Sequence, residues 1–271
     1  MEIINHQLKG DNITYKATPN TSGQFANNLP DTIIIHYTAG SSAESSVRTL
    51  VDPKSKASAH LVIGRDGSIT QLAAFNVVTW HAGESAYKDR VGFNKYSIGI
   101  EIDNAGPLTQ RADGYYSWFG RKYEEKDTVF AIHRNQAAPR YWHAYTEAQI
   151  VAVFTICELL KAAYNIKFIL GHEEISPKRK EDPGPAFPLD RLRDKILHGA
   201  RNSEEDESKI AKNIGEVIAS KLNIRSAPSE VGDKVALPLP QGTKVKIVES
   251  TDGWYKVQTT IEGWVSSKFV K

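Results

Sequence analysis

Two histidines and an aspartate sit in settings suited to holding a metal. His36 closes the apolar run Ile33-Ile34-Ile35, and His172 follows Phe168-Ile169-Leu170-Gly171. Asp182 opens the segment Asp182-Pro183-Gly184-Pro185. Two neutral imidazoles and one carboxylate make a three-ligand zinc set with the fourth position open to water. Such a site activates water or polarises a carbonyl, which is hydrolytic chemistry. A lone histidine at a strand end is more often a hydrogen-bonded polar residue than a ligand, so the reading rests on the combination. A further carboxylate, Glu101, interrupts the apolar run Ser97-Ile98-Gly99-Ile100-Glu101-Ile102. Burial there raises a carboxyl pKa towards the range useful to a general base.

The elements that must position these residues are legible from periodicity. Ile33 to Ile35 is continuously apolar and β-branched, the pattern of a buried central strand. Leu61-Val62-Ile63 and Ile69 to Leu72 flank Arg65-Asp66-Gly67-Ser68, whose Asp-Gly pair marks a tight hairpin turn. Ser97 to Ile102 and Phe168 to Leu170 are further buried strands. Between the strands lie helices. Ser45 to Leu50 is short. Thr146 to Tyr164 has Thr146 as N-cap and Glu147 in its first turn, with Ile150, Val153, Phe154, Cys157 and Leu160 as the expected buried face. Leu189 to Leu197 is the last helix of this unit. The alternation predicts an α/β domain, a mixed central sheet flanked by helices. Ala105 to His143 is rich in Tyr, Trp and Arg without a clear period, and is expected to be a long structureless insertion beside the site.

Composition bounds the alternatives. The chain has 271 residues, 24% charged and 40% apolar, with a net charge of +2. That balance suits one medium domain plus a small one and is too weak to argue for nucleic acid. The single cysteine, Cys157, excludes an intramolecular disulfide. No segment approaches the roughly 18 consecutive apolar residues of a membrane span. Met1-Glu2-Ile3-Ile4-Asn5-His6 lacks the pattern of a signal peptide, so action in the cytoplasm and action at the envelope both stay open. After His198, Ser203-Glu204-Glu205-Asp206-Glu207 reads as an acidic linker, placed at 201–214. Residues 215–271 read as an all-β barrel of roughly 55 residues. Its expected strands are Val217 to Ile224, Lys244 to Glu249, Trp254 to Gln258 and Gly263 to Val265, with turns at Asp252-Gly253 and Glu262-Gly263.

Five motifs, in order, carry a family resemblance. Thr32 to Thr38, the hairpin Ser58-Ala59-His60-Leu61-Val62-Ile63-Gly64-Arg65-Asp66-Gly67, Trp80-His81-Ala82-Gly83, Ser97 to Glu101, and Gly171-His172 through Phe187 resemble the type 2 N-acetylmuramoyl-L-alanine amidases. The resemblance covers roughly residues 30–198. It implies that fold, zinc held by His36, His172 and Asp182, and hydrolysis of the bond between N-acetylmuramic acid and L-alanine in peptidoglycan or a muropeptide. It implies Glu101 as the catalytic carboxylate. Lys180 stands two residues before Asp182, where related amidases carry a lysine able to stabilise an oxyanion. His60, Trp80 and His81 are expected to line the cleft, and Asn104 to contact the stem peptide. Some relatives place a tyrosine before the hairpin histidine; Ala59 stands there, which favours the glutamate-based subgroup. Leu222 to Ser229, Gly242 to Val245, Gly253 to Val257 and Gly263 to Val265 are similar to bacterial Src-homology-3-like domains. Such domains often target the cell wall; the alternative is a barrel that shapes the cleft. Exposed Trp254 and Tyr255 would support ligand binding.

Other chemistries fit less well. His172-Glu173-Glu174-Ile175-Ser176 begins like a helical zinc-protease motif, but Ser176 stands where the second histidine must be. Cys157 lies on an apolar helix face, and no nucleophile-elbow pattern occurs. A peptidoglycan-recognition protein that binds without cutting remains the alternative from another class. Non-catalytic relatives typically lack a zinc ligand, and here all are present.

Overall fold

β-Branched runs with no polar partner must be buried on both faces, and they form the middle of the first unit. The computed structural model describes residues 1–198, 214–229, 231–251 and 253–259. The chain divides into two units, Met1–Gly199 and Ala200–Lys271. In the first, the main strands are β1 (Ile13–Tyr15), β2 (Thr32–Tyr37), β3 (Leu61–Ile63), β4 (Ile69–Gln71), β5 (Ser97–Ile102), β6 (Pro107–Arg111), β7 (Gly114–Tyr116), β8 (Lys122–Tyr123), β9 (Thr128–Ile132), β10 (Pro139–His143) and β11 (Phe168–Gly171). The helices are α1 (Ala43–Val51), α2 (Glu147–Ala163), α3 (His172–Ile175) and α4 (residues 189–198).

The main sheet runs β11-β2-β5-β3-β4-β1. Strands β11, β2, β5 and β3 are parallel, while β4 returns antiparallel to β3. Ile33, Ile34, Ile35, Ile98 and Ile100 are fully buried. Ile33 and Ile35 share a core with Val153, Ile156, Cys157 and Leu160 of α2. Ile34 packs on the opposite face with Phe93, Leu170 and Ile175. The β3–β4 hairpin turns at Asp66-Gly67, where Gly67 adopts φ +84° and Gly64 N–H donates to Ser68 O at 2.8 Å.

Helix α2 starts with a capping box. Thr146 Oγ1 accepts from Gln149 N–H, and the Gln149 side chain accepts from Thr146 N–H, both at 3.1 Å. Gln149 is fully buried, and its amide also donates to Asp103 O at 2.7 Å. This turns the buried stripe to Gln149, Ala152, Val153, Ile156, Cys157 and Leu160. The expected positions Ile150 and Phe154 lie at its margin, only partly buried.

The 105–143 insertion is not a structureless loop. It is a five-stranded antiparallel sheet in the order β8-β7-β6-β10-β9. Its strands span only two to five residues, too short to show a period. Aromatic contacts hold it together: Tyr115 on Tyr141 at 4.4 Å and Phe130 on Tyr141 at 4.6 Å between ring centroids. Trp142, one residue on, points the other way into the main core and is 1% exposed.

The second unit has β12 (Ile214–Glu216), β13 (Lys221–Leu222), β14 (Leu239–Pro240), β15 (Lys244–Thr251) and β16 (Trp254–Gln258). Strand β15 lies between β12 and β16, and β13 pairs β14. Val217, Leu239 and Val245 form its core with Leu222, Ile224 and Val257. The predicted single strand Val217 to Ile224 is therefore wrong: pairing is split between β12 and β13, with a bend between them. The acidic run and most of the predicted linker lie outside the described residues, as do Gly263 to Val265, and Ile214 opens β12. Tyr255 is exposed and Trp254 half-buried. Among the described residues no helix is long and apolar enough to cross a membrane.

Candidate metal centre and active site

Strand register brings the chemistry together. Glu101 on β5 pairs with His36 on β2. Gly171 on β11 pairs with Ile35, which sets His172 beside the end of β2. Three functional side chains thus stand at the carboxyl ends of three adjacent parallel strands, where open α/β sheets bind ligands. Asp182 arrives on the loop after α3, tied by Glu173 N–H to Asp182 O at 2.8 Å.

The three ligand candidates converge to a triangle. His36 Nδ1 lies 3.0 Å from His172 Nδ1 and 2.9 Å from Asp182 Oδ2, and His172 Nδ1 lies 3.0 Å from the same oxygen. All three side chains are buried. The surrounding hydrogen bonds fix where their protons sit. Ser97 gives its hydroxyl proton to Phe93 O at 2.6 Å. Both Ser97 oxygens can then only accept from His81 Nε2, at 3.1 Å and 3.2 Å. His81 is neutral, because burial first and the His36 and His60 rings second push it well below the usual histidine range. Its Nδ1 is therefore an acceptor, and His36 Nε2–H donates to it at 2.9 Å. His36 is itself pushed down to about 4 by burial and by His172, so its Nδ1 carries a lone pair. His172 Nε2 points at Ala82 O, 3.1 Å away, so the nitrogen it turns to the triangle is Nδ1 as well.

Two imidazole nitrogens and a carboxylate oxygen about 3 Å apart make a donor set suited to a cation. Four ligands at about 2.0–2.1 Å in a tetrahedron would be spaced roughly 3.3 Å apart, close to the triangle seen. The donor set and the outward-held second nitrogens both fit zinc.

A cavity of about 380 Å³ opens on this triangle, and Glu101, Lys180 and Trp80 line it as well. Glu101 Oε2 is buried with no hydrogen-bond partner. Burial first, and then the Asp182 charge, push its carboxyl well above the usual range, while Lys180 pulls the other way. Lys180 is half-buried where Lys178 and Arg179 are exposed. Arg179 has a separate job, donating to Ala82 O at 3.0 Å, Glu84 O at 2.8 Å and Ser176 Oγ at 3.0 Å. It straps the 82–84 loop to the turn after His172.

The other expected residues fare differently. His60 is not at the cleft. It is fully buried between Phe25 and Phe75, its Nε2 is 2.8 Å from Val77 O, and its Nδ1 accepts from Gly99 N–H at 3.0 Å. Asn104 is not there either. Its amide donates to His143 O at 2.9 Å and accepts from Gly106 N–H at 2.8 Å, anchoring the root of the insertion. Trp80 lines the cavity with Nε1 donating to Ser22 Oγ at 2.7 Å. His81 touches the cavity, but both ring nitrogens are spent on His36 and Ser97, so it holds His36 in place. Gly99 makes that possible: a Cβ there would lie 2.4 Å from the His81 ring.

Sequence reading missed a buried clasp. Glu173, next to His172, accepts from His133 Nε2 at 2.6 Å and from Gly184 N–H at 3.1 Å. Arg134 bridges Glu173, Glu174 and Asp190, and Arg140 pairs with Glu181 at 2.5 Å. The insertion thereby grips the loop that carries Asp182. The one sequence signal was the pair of carboxylates after His172, whose partners stand some 40 residues earlier.

Residues 26–185 match the family described as N-acetylmuramoyl-L-alanine amidase, and residues 220–271 match the bacterial SH3 domain. The chain is 31% identical over 169 residues to the N-acetylmuramoyl-L-alanine amidase AmiD of Escherichia coli strain K12, covering 59% of this chain and 51% of AmiD. It is 33% identical over 140 residues to the 1,6-anhydro-N-acetylmuramyl-L-alanine amidase AmpD of the same strain, covering 51% of this chain and 57% of AmpD. The chain thus spans about half the length of the curated relatives it matches. A crystal structure of a selenomethionine AmpD derivative superposes with a TM-score of 0.50 at 26% identity, covering 72% of this chain and 99% of that one.

Proposed function

The chain belongs to the N-acetylmuramoyl-L-alanine amidase family, and we propose that it is a zinc-dependent amidase that cleaves the bond between N-acetylmuramic acid and L-alanine in peptidoglycan or its fragments. One observation carries this reading: two imidazole nitrogens and a carboxylate oxygen converge on one point, and the unpartnered Oε2 of Glu101 belongs to the lining of the same cavity. His36, His172 and Asp182 would hold the zinc, which supplies Lewis acidity for water and carbonyl.

This chain's own groups then handle protons and charge. Glu101 takes the proton of the attacking water as the carbonyl carbon becomes tetrahedral. Its raised pKa makes it a stronger base than an exposed glutamate and lets it return that proton to the departing L-alanine nitrogen. The half-buried Lys180 offsets the negative charge gathering on the carbonyl oxygen. Trp80 packs beside the reacting groups as a fixed apolar wall. His81 and Arg179 touch none of these atoms; they keep His36 and the 82–84 loop in place. The SH3 unit is read as a wall-binding module, supported by the exposed Tyr255. Loss of sedimentation with purified sacculi on Tyr255→Ala is the expected outcome, and undiminished sedimentation would remove that residue from the role.

The deciding test is mass spectrometry of a muropeptide digest with and without chelator, followed by zinc add-back. Release of free stem peptide beginning at L-alanine, lost with chelator and restored by zinc, is expected. Peptide fragments cut elsewhere, or no release with metal bound, would overturn the proposal.

A further inference from the structure

Trp118 stands in the turn between β7 and β8 of the inserted sheet, outside the set of residues assigned above. It is 76% exposed, yet it is not loose. Its Nε1–H donates to Ala39 O at 2.8 Å, and Ala39 lines the catalytic cavity. Ala39 adopts φ +48°, the left-handed region, and its carbonyl accepts from the indole. On the other side Trp118 meets the Phe119 ring edge-on at 5.6 Å, and Phe119 packs into the insertion's own core with Tyr115 and Tyr141. The turn is closed by Ser117 N–H to Arg121 O and Gly120 N–H to Ser117 O, each at 3.0 Å. Arg121 N–H donates to Ser117 Oγ at 3.0 Å as well.

A single exposed apolar residue needs no explanation. An indole pinned by a hydrogen bond to a residue that lines the catalytic cavity does. Its one polar atom is already used, so it offers a ligand only its flat π face. That face suits a flat, C–H-lined surface better than the carboxylates of a peptide, because the face of the ring carries the negative part of its quadrupole. A pyranose ring has such a surface.

The geometry points to Trp118 as a stacking platform for the glycan: the sugar neighbouring the muramoyl residue lies on the indole while the amide is at the metal. This rests on the amidase reading and adds to it a preference for substrates that keep the neighbouring sugar. The inserted sheet then has a substrate-binding role as well as its grip on the Asp182 loop.

The test measures binding by calorimetry, so that turnover is not required. Zinc-loaded protein carrying Glu101→Gln is titrated with a muropeptide retaining the disaccharide, and separately with the same peptide on muramic acid alone. The disaccharide ligand is expected to bind about tenfold tighter, a gap the size of one good aromatic contact. Adding Trp118→Ala closes the gap, and Trp118→Phe largely keeps it. Phe130→Ala, which removes another exposed ring of the same sheet (59% exposed), leaves it intact. The proposal is overturned if there is no gap to begin with, if it survives Trp118→Ala, or if Phe130→Ala closes it equally. Failure of the amidase reading shows elsewhere, as absence of peptide release by the unmutated chain.

Discussion

The parallel sheet and the inserted antiparallel sheet serve one site by different means. In the parallel sheet, β2, β5 and β11 are covered on both faces, and adjacent strand ends deliver His36, Glu101 and His172 by register alone. In the inserted sheet, one face points into the core through Trp142 while the other stacks its own aromatics. It delivers no ligand. It holds Asp182 through Glu173 of α3 and Glu181 of the loop that follows. The lesson is that the first sheet supplies reactive groups and the second supplies their rigidity, so damage to each should read out differently.

The largest separation comes from Glu101→Gln. Turnover should fall about 10²–10⁴-fold, the usual weight of a general base, while bound zinc per chain stays unchanged by atomic absorption. The same variant tests the burial of Glu101. Its folded pKa is raised, so between the ordinary glutamate value and the raised one the native protein holds a proton that the unfolded chain has lost. Stability of the metal-free protein must therefore fall as pH rises through that window. With chelator at pH 7–8, Glu101→Gln should melt above the unmutated chain, and the difference should vanish below about pH 4, where the unfolded glutamate is protonated too. A lower melting point at neutral pH would contradict the unpartnered carboxylate.

Next comes His81→Phe, which removes the acceptor for His36 Nε2–H at nearly constant size. Zinc affinity, read by competition with a chromophoric chelator, should weaken about 10–100-fold, as for other groups that orient metal ligands. Unchanged affinity would mean that His36 needs no help in choosing its tautomer.

The inserted sheet is probed by His133→Phe. Glu173 is buried and loses one of its partners, which should cost about 1–3 kcal/mol in urea unfolding. Zinc affinity should drop as well, because the Asp182 loop loosens. A stability loss with zinc affinity intact would reduce the insertion to scaffolding and blunt the comparison. Smallest is Thr146→Ala at the start of α2, expected to cost about 1 kcal/mol with zinc affinity unmoved.

The parallel strands were readable because full burial writes itself as an unbroken β-branched run, as in Ile33-Ile34-Ile35. The α2 helix was readable from its cap, though its buried stripe was displaced once Gln149 turned inward. The inserted sheet was not readable. Strands of two to five residues leave no period, and its order depends on rings that meet across strands, such as Phe130 with Tyr141. The site followed the same division. His36, His172, Asp182, Glu101 and Lys180 were picked out in sequence and share one cavity. His60 and Asn104 were picked out with them, yet they serve the core and the insertion's root.

What the sequence determined by itself was the set of residue types able to hold zinc and move a proton, and the strands that end at them. Local pattern is enough for that, since burial and capping act over a few neighbours. Only the tertiary structure decided which histidine faces the cavity and which faces Phe75, and which ring nitrogen keeps its lone pair. It alone joined His133 to a carboxylate 40 residues away. Those outcomes depend on hydrogen-bond partners brought together from distant parts of the chain, and a satisfied histidine and a ligating one differ in nothing but those partners.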